Sequence, residues 1–122
     1  MEEYQNGVLR MYYDNYDNYN DNYDNYNDTN NYTQTKLLYY EYFVFNGKKN
    51  GTYKAYYENG QLREICNYKD GKKEGGNIKY YNDGCIRIIC NYKNDKLEGE
   101  YNKYYDGKLF QKSFYKNNKL EI

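Results

Sequence analysis

Two carboxylates, Glu74 and Glu98, recur at a spacing of twenty-four residues, and each lies two residues after a lysine, Lys72 or Lys96. Paired carboxylates are the usual groups for general acid–base chemistry. Here the spacing belongs to a longer repeated stretch, because YYENGQLREICNYKDGKKEG (56–75) returns as YYNDGCIRIICNYKNDKLEG (80–99). A short fixed period indicates stacked structural units. The pattern therefore favours a structural role for both glutamates over a catalytic one.

Three cysteines raise the question of a disulfide or a metal site. Cys66 and Cys90 hold equivalent repeat positions, which two strands would separate by about 9.5 Å at about 4.8 Å per strand. Bridged cysteines need Cα atoms closer than about 7 Å. The chain has no histidine and no CxxC pair, so neither a metal site nor a cofactor is expected. Cys66 and Cys90 are predicted to be small buried hydrophobes in a reducing compartment.

Composition predicts one domain with a thin core. The chain has 122 residues and 22 tyrosines, with few other large apolar side chains, and this length suits a single folded unit. Residues 1–46 carry eight acids and two bases, whereas residues 47–122 carry ten acids and sixteen bases. The absence of histidine removes the usual neutral-pH general base. We therefore expect a protein that is not an enzyme.

Each repeat reads as a β-hairpin. Asn59-Gly60 and Asp70-Gly71 are strong short turn signals between runs that favour strands. The run 71–76, GKKEGG, lacks the Gly-Lys-Ser/Thr ending of a phosphate-binding loop and is interpreted as part of a turn. The predicted fold class is all-β, a single elongated, twisted antiparallel sheet of tandem β-hairpin repeats.

Alternation along the second run of each hairpin predicts two different faces. One face is predicted to be apolar, and the other face basic. The apolar set is Ile86, Ile88, Cys90 and Tyr92, with Leu62, Cys66 and Tyr68 before it and Leu109, Ser113 and Tyr115 after it. The basic set is Arg87, Ile89, Asn91 and Lys93, with Arg63, Ile65, Asn67 and Lys69 before it and Phe110, Lys112, Phe114 and Lys116 after it.

The predicted domain covers 1–122, with repeats at 52–75, 76–99 and 100–122. A first repeat is split into 1–13 and 37–51, and Asn6-Gly7 is aligned with Asn59-Gly60. Between the halves, residues 14–36 form a low-complexity Asp/Asn/Tyr insertion in which DNYDNYN occurs twice in succession. We expect this insertion to be a loop expansion. The alternatives are a tyrosine-rich self-association segment and an acidic arm over the basic face.

The spacing of the unit resembles a known family. A tyrosine pair, an Asn-Gly turn and Tyr-Lys-x-Gly-Lys-x-x-Gly are similar to the variant class of MORN repeats, the membrane occupation and recognition nexus family. The likeness covers 47–122 well and 1–13 loosely, and the second copy departs from it at Asn94-Asp95. Similar proteins occur in bacteria, where some are labelled antitoxin-like, and in large DNA viruses of protists. The resemblance implies protein association or contact with acidic lipid surfaces.

These observations predict a repeat scaffold that binds a protein partner through tyrosines. The first alternative is peripheral binding to anionic lipids through lysines, and the second is an antitoxin-like neutralising protein. Self-association through an edge strand or the insertion is a further alternative, and a basic aromatic face that holds nucleic acid is disfavoured. No signal peptide or membrane-spanning run is apparent in the sequence, so a cytoplasmic location is expected. The candidate partner contacts are Tyr53, Tyr57, Tyr81, Tyr101 and Tyr105, and the candidate anionic-surface contacts are Lys69, Lys72, Lys73, Lys93 and Lys96.

Overall fold

The computed structural model describes residues 6–13 and 37–122, and these residues form one sheet. Nine antiparallel strands follow one another in chain order, each hydrogen-bonded to the next. The predicted all-β fold is confirmed, and the described residues contain no helix. The strands are β1 (Gly7–Tyr12), β2 (Leu38–Phe45), β3 (Lys48–Tyr56), β4 (Leu62–Lys69), β5 (Lys72–Tyr80), β6 (Ile86–Lys93), β7 (Lys96–Tyr105), β8 (Lys108–Lys116) and β9 (Lys119–Glu121).

Even-numbered strands lead into odd-numbered strands through two-residue turns. Both residues of each turn have positive φ, from Asn46 at 52° and Gly47 at 75° to Asn117 at 52° and Asn118 at 69°. This is the type I′ geometry, whose twist matches that of the flanking strands. Asn, Asp and Gly fill these positions because they tolerate positive φ best. We call this side of the sheet the turn edge, defined by 46–47, 70–71, 94–95 and 117–118.

Strands β3, β5 and β7, which each follow a turn of the turn edge, contain a bulge around a glycine. Between β4 and β5, Cys66 pairs with Asn77 and Tyr68 with Lys73, so one residue of β4 lies opposite three of β5. Gly75 lies in this bulge with φ of 92°. The interpretation of 71–76 as a turn is therefore wrong beyond Gly71, because Lys72 already begins β5. The glycines permit a bulged strand here rather than a longer turn.

Cross-strand pairing defines the two faces. The face that we call the tyrosine face carries, in one row across the sheet, Tyr42, Tyr53, Cys66, Asn77, Cys90 and Tyr101. The face that we call the outer face carries, in the matching row, Glu41, Lys54, Ile65, Ile78, Ile89 and Asn102. The predicted separation of Cys90 from Ile89 is confirmed, since paired residues of neighbouring strands point to the same side.

The buried residues of the described chain all lie on the tyrosine face. Small side chains form its floor between larger tyrosines and lysines, since no second layer of the described chain covers the sheet. Such a core is thin, as the composition predicts, and it depends on neighbouring hairpins to close it. Its members are Ala55, Cys66, Asn77, Ile88 and Cys90.

The first hairpin follows the same plan with a different alignment from the one proposed above. Gly7 pairs with Val44 as Gly51 pairs with Tyr68, and both glycines have positive φ. Gly7 is thus equivalent to Gly51, not to the turn residue Gly60, because β1 is the first strand of its hairpin. The N–H of Tyr13 donates to the carbonyl of Leu37 (2.9 Å), so the two residues that flank 14–36 in the chain are neighbours in the structure. The insertion itself and residues 1–5 lie outside the described residues.

Candidate functional site

Stacked tyrosines form the most continuous part of the tyrosine face. The rings of Tyr40, Tyr42 and Tyr53 lie with centroids 5.9–6.1 Å apart and planes within 25° of each other. The Lys49 ammonium lies 4.7 Å from the ring centroid of Tyr42, 5.2 Å from that of Tyr53 and 4.9 Å from that of Tyr68. A cation held over several rings gains from their quadrupoles. The cluster is therefore both aromatic and positively charged.

Burial changes the acidity of the tyrosine hydroxyls. Desolvation, with a smaller contribution from the charge of Glu64, raises the pKa of Tyr53 to about 12. Burial also raises the pKa of Tyr68, Tyr92 and Tyr101 above the ordinary value. These hydroxyls stay neutral at physiological pH and can donate or accept hydrogen bonds.

A charged network crosses the middle of the face. The Lys73 ammonium lies 3.2 Å from Oε2 of Glu64, and the side-chain amide of Asn77 donates to the same oxygen (3.1 Å). Burial is the largest single influence on the pKa of Lys73 and acts to lower it. The charge of Glu64, the hydrogen bond it accepts from Lys73 and the nearby Cys66 and Tyr92 together outweigh burial, so the net pKa is raised. Lys73 also lies 4.8 Å from the ring centroid of Tyr92. The prediction that Lys73 contacts an anionic surface is therefore not supported, because its side chain packs on the tyrosine face and does not lie at the turn edge with the other predicted lysines.

The predicted tyrosine contacts divide into two groups. Tyr53 and Tyr101 lie on the tyrosine face, the latter 5.4 Å from the ring of Tyr115. Tyr57 and Tyr81 instead join neighbouring hairpins, because their hydroxyls donate to the carbonyls of Tyr80 (2.5 Å) and Tyr104 (2.8 Å).

Tyr13 and Tyr105 belong to the same repeat position as Tyr57 and Tyr81. The Tyr13 hydroxyl donates to the carbonyl of Tyr56 (2.6 Å). Tyr105 has no equivalent acceptor among the described residues, and its ring is 68% exposed. This bond could not be predicted from the sequence, because alternation indicates which way a ring points but not which carbonyl its hydroxyl meets.

The remaining predicted lysines lie along the turn edge. Lys69 pairs directly with Lys72, and Lys93 with Lys96, across the strands that flank two turns. All four are exposed, and like charges placed directly opposite each other are destabilising. Lys48, Lys69 and Lys72 line a surface cavity of about 480 Å³ together with Asp70, Glu74 and Asn94.

The repeated glutamates hold the turns. Oε1 of Glu74 accepts the N–H of Asn94 (3.1 Å), and Oε1 of Glu98 accepts the N–H of Asn117 (3.4 Å). Each glutamate therefore binds the turn of the next hairpin. The periodicity of the two glutamates is visible in the sequence but their partners are not, since each bond joins residues about twenty positions apart.

The cysteines are free, and Cys66 and Cys90 are buried as predicted. Burial raises the pKa of the Cys66 thiol to about 11 and that of Cys90 above its ordinary value. Both thiols are therefore poor nucleophiles at neutral pH. Among residues 6–13 and 37–122, no three side chains of His, Cys, Asp or Glu are grouped as metal ligands.

Comparisons with known proteins leave the family open. No protein-family model matches the chain, and no curated protein or solved structure matches it. The resemblance to MORN repeats stays a prediction. Within the part of the chain that the structure describes, no helix is long and apolar enough to cross a membrane.

Proposed function

We propose that this chain is a non-enzymatic scaffold whose tyrosine face binds an acidic segment of a protein partner. The observation that carries the proposal is the stacked cluster of Tyr40, Tyr42 and Tyr53, with the Lys49 ammonium over the rings of Tyr42 and Tyr53. Rigid tyrosines supply large contact area at a low cost in conformational entropy. Tyrosine is also among the residues that most often dominate binding energy.

The charge of this face supports the choice of partner. Four lysines, Lys49, Lys73, Lys79 and Lys103, lie on it, and Glu64 neutralises one of them. A partner with carboxylates would meet an excess of positive charge, which speeds association and selects against basic partners.

Site-specific photo-cross-linking tests the proposal. A benzophenone amino acid replaces Tyr101 on the tyrosine face or, as the control, Asn91 on the outer face of the interior strand β6, where it is exposed. In extract of the producing cells, we expect a defined adduct from position 101 and a weaker one or none from position 91. Equal labelling from both positions, or labelling from position 91 alone, would contradict the proposal.

Charge-reversal variants on the two faces distinguish specific binding from non-specific electrostatic attraction. Lys103→Glu on the tyrosine face should weaken capture of the cross-linked partner at least several-fold, whereas Lys54→Glu on the outer face should leave it unchanged. An effect of equal size from both variants would indicate non-specific attraction to a basic protein. If the captured protein is a toxin that this chain inhibits, the antitoxin-like function becomes the specific form of the proposal.

The turn edge favours a second candidate, peripheral binding to anionic lipid. Its Lys69–Lys72 and Lys93–Lys96 pairs bring like charges together, and an anion between them would relieve their repulsion. Vesicles containing phosphatidylserine should then retain the chain at low salt and release it as salt screens the contact. Lys69→Gln with Lys93→Gln should lower retention, and retention unchanged by salt or by these variants would remove this candidate.

A further inference from the structure

The outer edge of β8 is open over most of its length. β7 pairs with β8 on one side, and on the other side β9 pairs only with Phe114, Tyr115 and Lys116. Among residues 6–13 and 37–122, the stretch 108–113 therefore has no strand on the side away from β7. Leu109 and Phe110 are exposed there, Phe110 to 60%. Unpaired backbone next to exposed apolar side chains is a template for strand addition.

The opposite edge of the sheet is formed by β1, which is the kind of strand that the open side of β8 lacks. β1 is the first strand of a hairpin and has no described strand on its outer side. Val8, Met11 and Tyr12 are exposed on it. The remaining even-numbered strands, β2, β4 and β6, are each followed by a full-length strand. These following strands, β3, β5 and β7, are equivalent to β1, because Gly51, Gly75 and Gly99 hold the same pairing position in them as Gly7 holds in β1.

We propose that two copies of this chain join head to tail, with β1 of one copy pairing antiparallel with β8 of the other. The repeat register fixes the contacts. Leu9 of one copy would lie opposite Ser113 of the other, as Asn77 lies opposite Cys66, and Met11 opposite Gln111, as Lys79 lies opposite Glu64.

Tyr105 would complete its missing bond at this joint. Its equivalent Tyr81 donates to the carbonyl of Tyr104 in the next hairpin, and the residue equivalent to Tyr104 in the incoming strand is Tyr12. The exposed hydroxyl of Tyr105 therefore has an acceptor in the second copy. No bond of this kind is available to it within the described part of its own chain.

The joint has two local consequences. Glu121 and Ile122 occupy the space that the start of the incoming strand would take, so both must move aside. Both are exposed, and the movement breaks the pairing of Glu121 with Phe114, which the incoming strand replaces. Lys112 would face Arg10 of the second copy, but Lys112 already pairs with Glu100 (3.2 Å) and Arg10 with Glu41 (3.0 Å). Because the joined surfaces differ, the contact does not close on itself and can continue into longer assemblies.

Disulfide trapping tests the register. Leu9→Cys and Ser113→Cys are made in separate chains that also carry Cys85→Ser, mixed and mildly oxidised. Directly opposite residues of antiparallel strands lie about 4.5–5.5 Å apart at Cα, within disulfide range. Within one chain these positions are seven strands apart, so a link must join two copies. Cys66 and Cys90 are buried and do not compete.

We expect a mixed dimer from this pair and little from Val8→Cys with Ser113→Cys, because Val8 lies on the outer face opposite Phe43. If either variant unfolds, Met11→Cys with Gln111→Cys replaces the pair. A folded mixture that gives no link above the control overturns the proposal. A stronger link in a sample of the Ser113→Cys chain alone than in the mixture also overturns the proposal, since that result would indicate a symmetric contact between the β8 strands of two copies.

Sedimentation velocity of the otherwise unchanged 122-residue chain provides the second readout. We expect concentration-dependent species that grow beyond dimers, and an association constant that falls several-fold in Tyr105→Phe. Tyr81→Phe removes an equivalent hydroxyl within the chain and should not change association. Removal of Glu121 and Ile122 should keep or strengthen it. A chain that stays folded and monomeric at its highest soluble concentration overturns the proposal.

Discussion

Asp95 and Lys73 exchange two hydrogen bonds across neighbouring hairpins. The N–H of Asp95 donates to the carbonyl of Lys73 (3.0 Å), and the N–H of Lys73 donates to Oδ1 of Asp95 (2.8 Å). Asn118 and Leu97 form the same pair of bonds, whereas Gly71 makes only the first of them, to Lys49. The side-chain oxygen explains how a non-glycine residue is kept at φ of 70° in this turn.

Asp95→Ala should therefore destabilise the chain. Alanine keeps the unfavourable positive φ but loses the side-chain acceptor, so we expect a loss of about 1–2 kcal/mol in the free energy of unfolding. Asp95→Gly also loses the acceptor, but glycine adopts this positive φ without strain. The free energy of unfolding of this variant should therefore change by no more than about 0.5 kcal/mol. Urea unfolding of both variants checks this, and a larger loss in the glycine variant would contradict it.

Tyr81→Phe should lower stability by about 1 kcal/mol, because it leaves the half-buried carbonyl of Tyr104 without its donor. Tyr105→Phe is the matched control, since its hydroxyl meets no acceptor in the described chain, and it should be neutral in dilute solution. The comparison uses urea midpoints at low protein concentration. Equal losses in both variants would show that the hydroxyl bond does not matter.

Gly75 and Gly76 are adjacent but have different backbone requirements. A Cβ at Gly75 would meet no atom within 4 Å, but its φ is 92°. Gly75→Ala should therefore cost about 1–2 kcal/mol through strain alone. Gly76 has no positive φ and only Asn91 at 3.9 Å, so Gly76→Ala should be neutral or slightly stabilising. Thermal unfolding distinguishes them, and a reversed order would contradict the described bulge.

Stability should fall in alkaline solution. Burial raises the pKa of Tyr53 from 10.0 to about 12, so the folded chain holds its phenolic proton more tightly than the unfolded chain does. This contribution is complete below pH 10 and is lost as the pH rises towards 12. Tyr53→Phe should flatten the decline of unfolding free energy over this range. Phe114→Leu, on the outer face, should lower stability without changing that slope, and an unchanged slope in Tyr53→Phe would contradict the prediction.

The sequence predicts the hairpins and the alternation of side chains between two faces, because turn residues and alternation are local signals. The prediction that one face is apolar and the other basic is wrong, because Lys79 and Lys103 lie on the tyrosine face. The outer face instead carries a row of isoleucines, Ile65, Ile78 and Ile89.

The sequence does not predict the bulges, since the run from Lys72 to Gly76 reads as turn-forming until its pairing with β4 and β6 is known. That bulge brings Lys73 opposite Tyr68 on the tyrosine face and so removes it from the predicted lysine surface. The bonds that Tyr57 and Tyr81 make between hairpins could not be predicted from local signals either, because their acceptors lie 23 residues away in the chain.

The account depends on one continuous sheet with a defined tyrosine face, and isoleucine methyl contacts test this most directly. Ile65, Ile78 and Ile89 lie in one row of the outer face on adjacent strands, whereas Ile88 lies on the tyrosine face opposite Lys79. In a sample labelled at isoleucine methyls, we predict nuclear Overhauser contacts from Ile78 to both Ile65 and Ile89, and none from Ile78 to Ile88. Contacts from Ile78 to Ile88 in place of Ile89, or no contact between Ile65 and Ile78, would contradict the account.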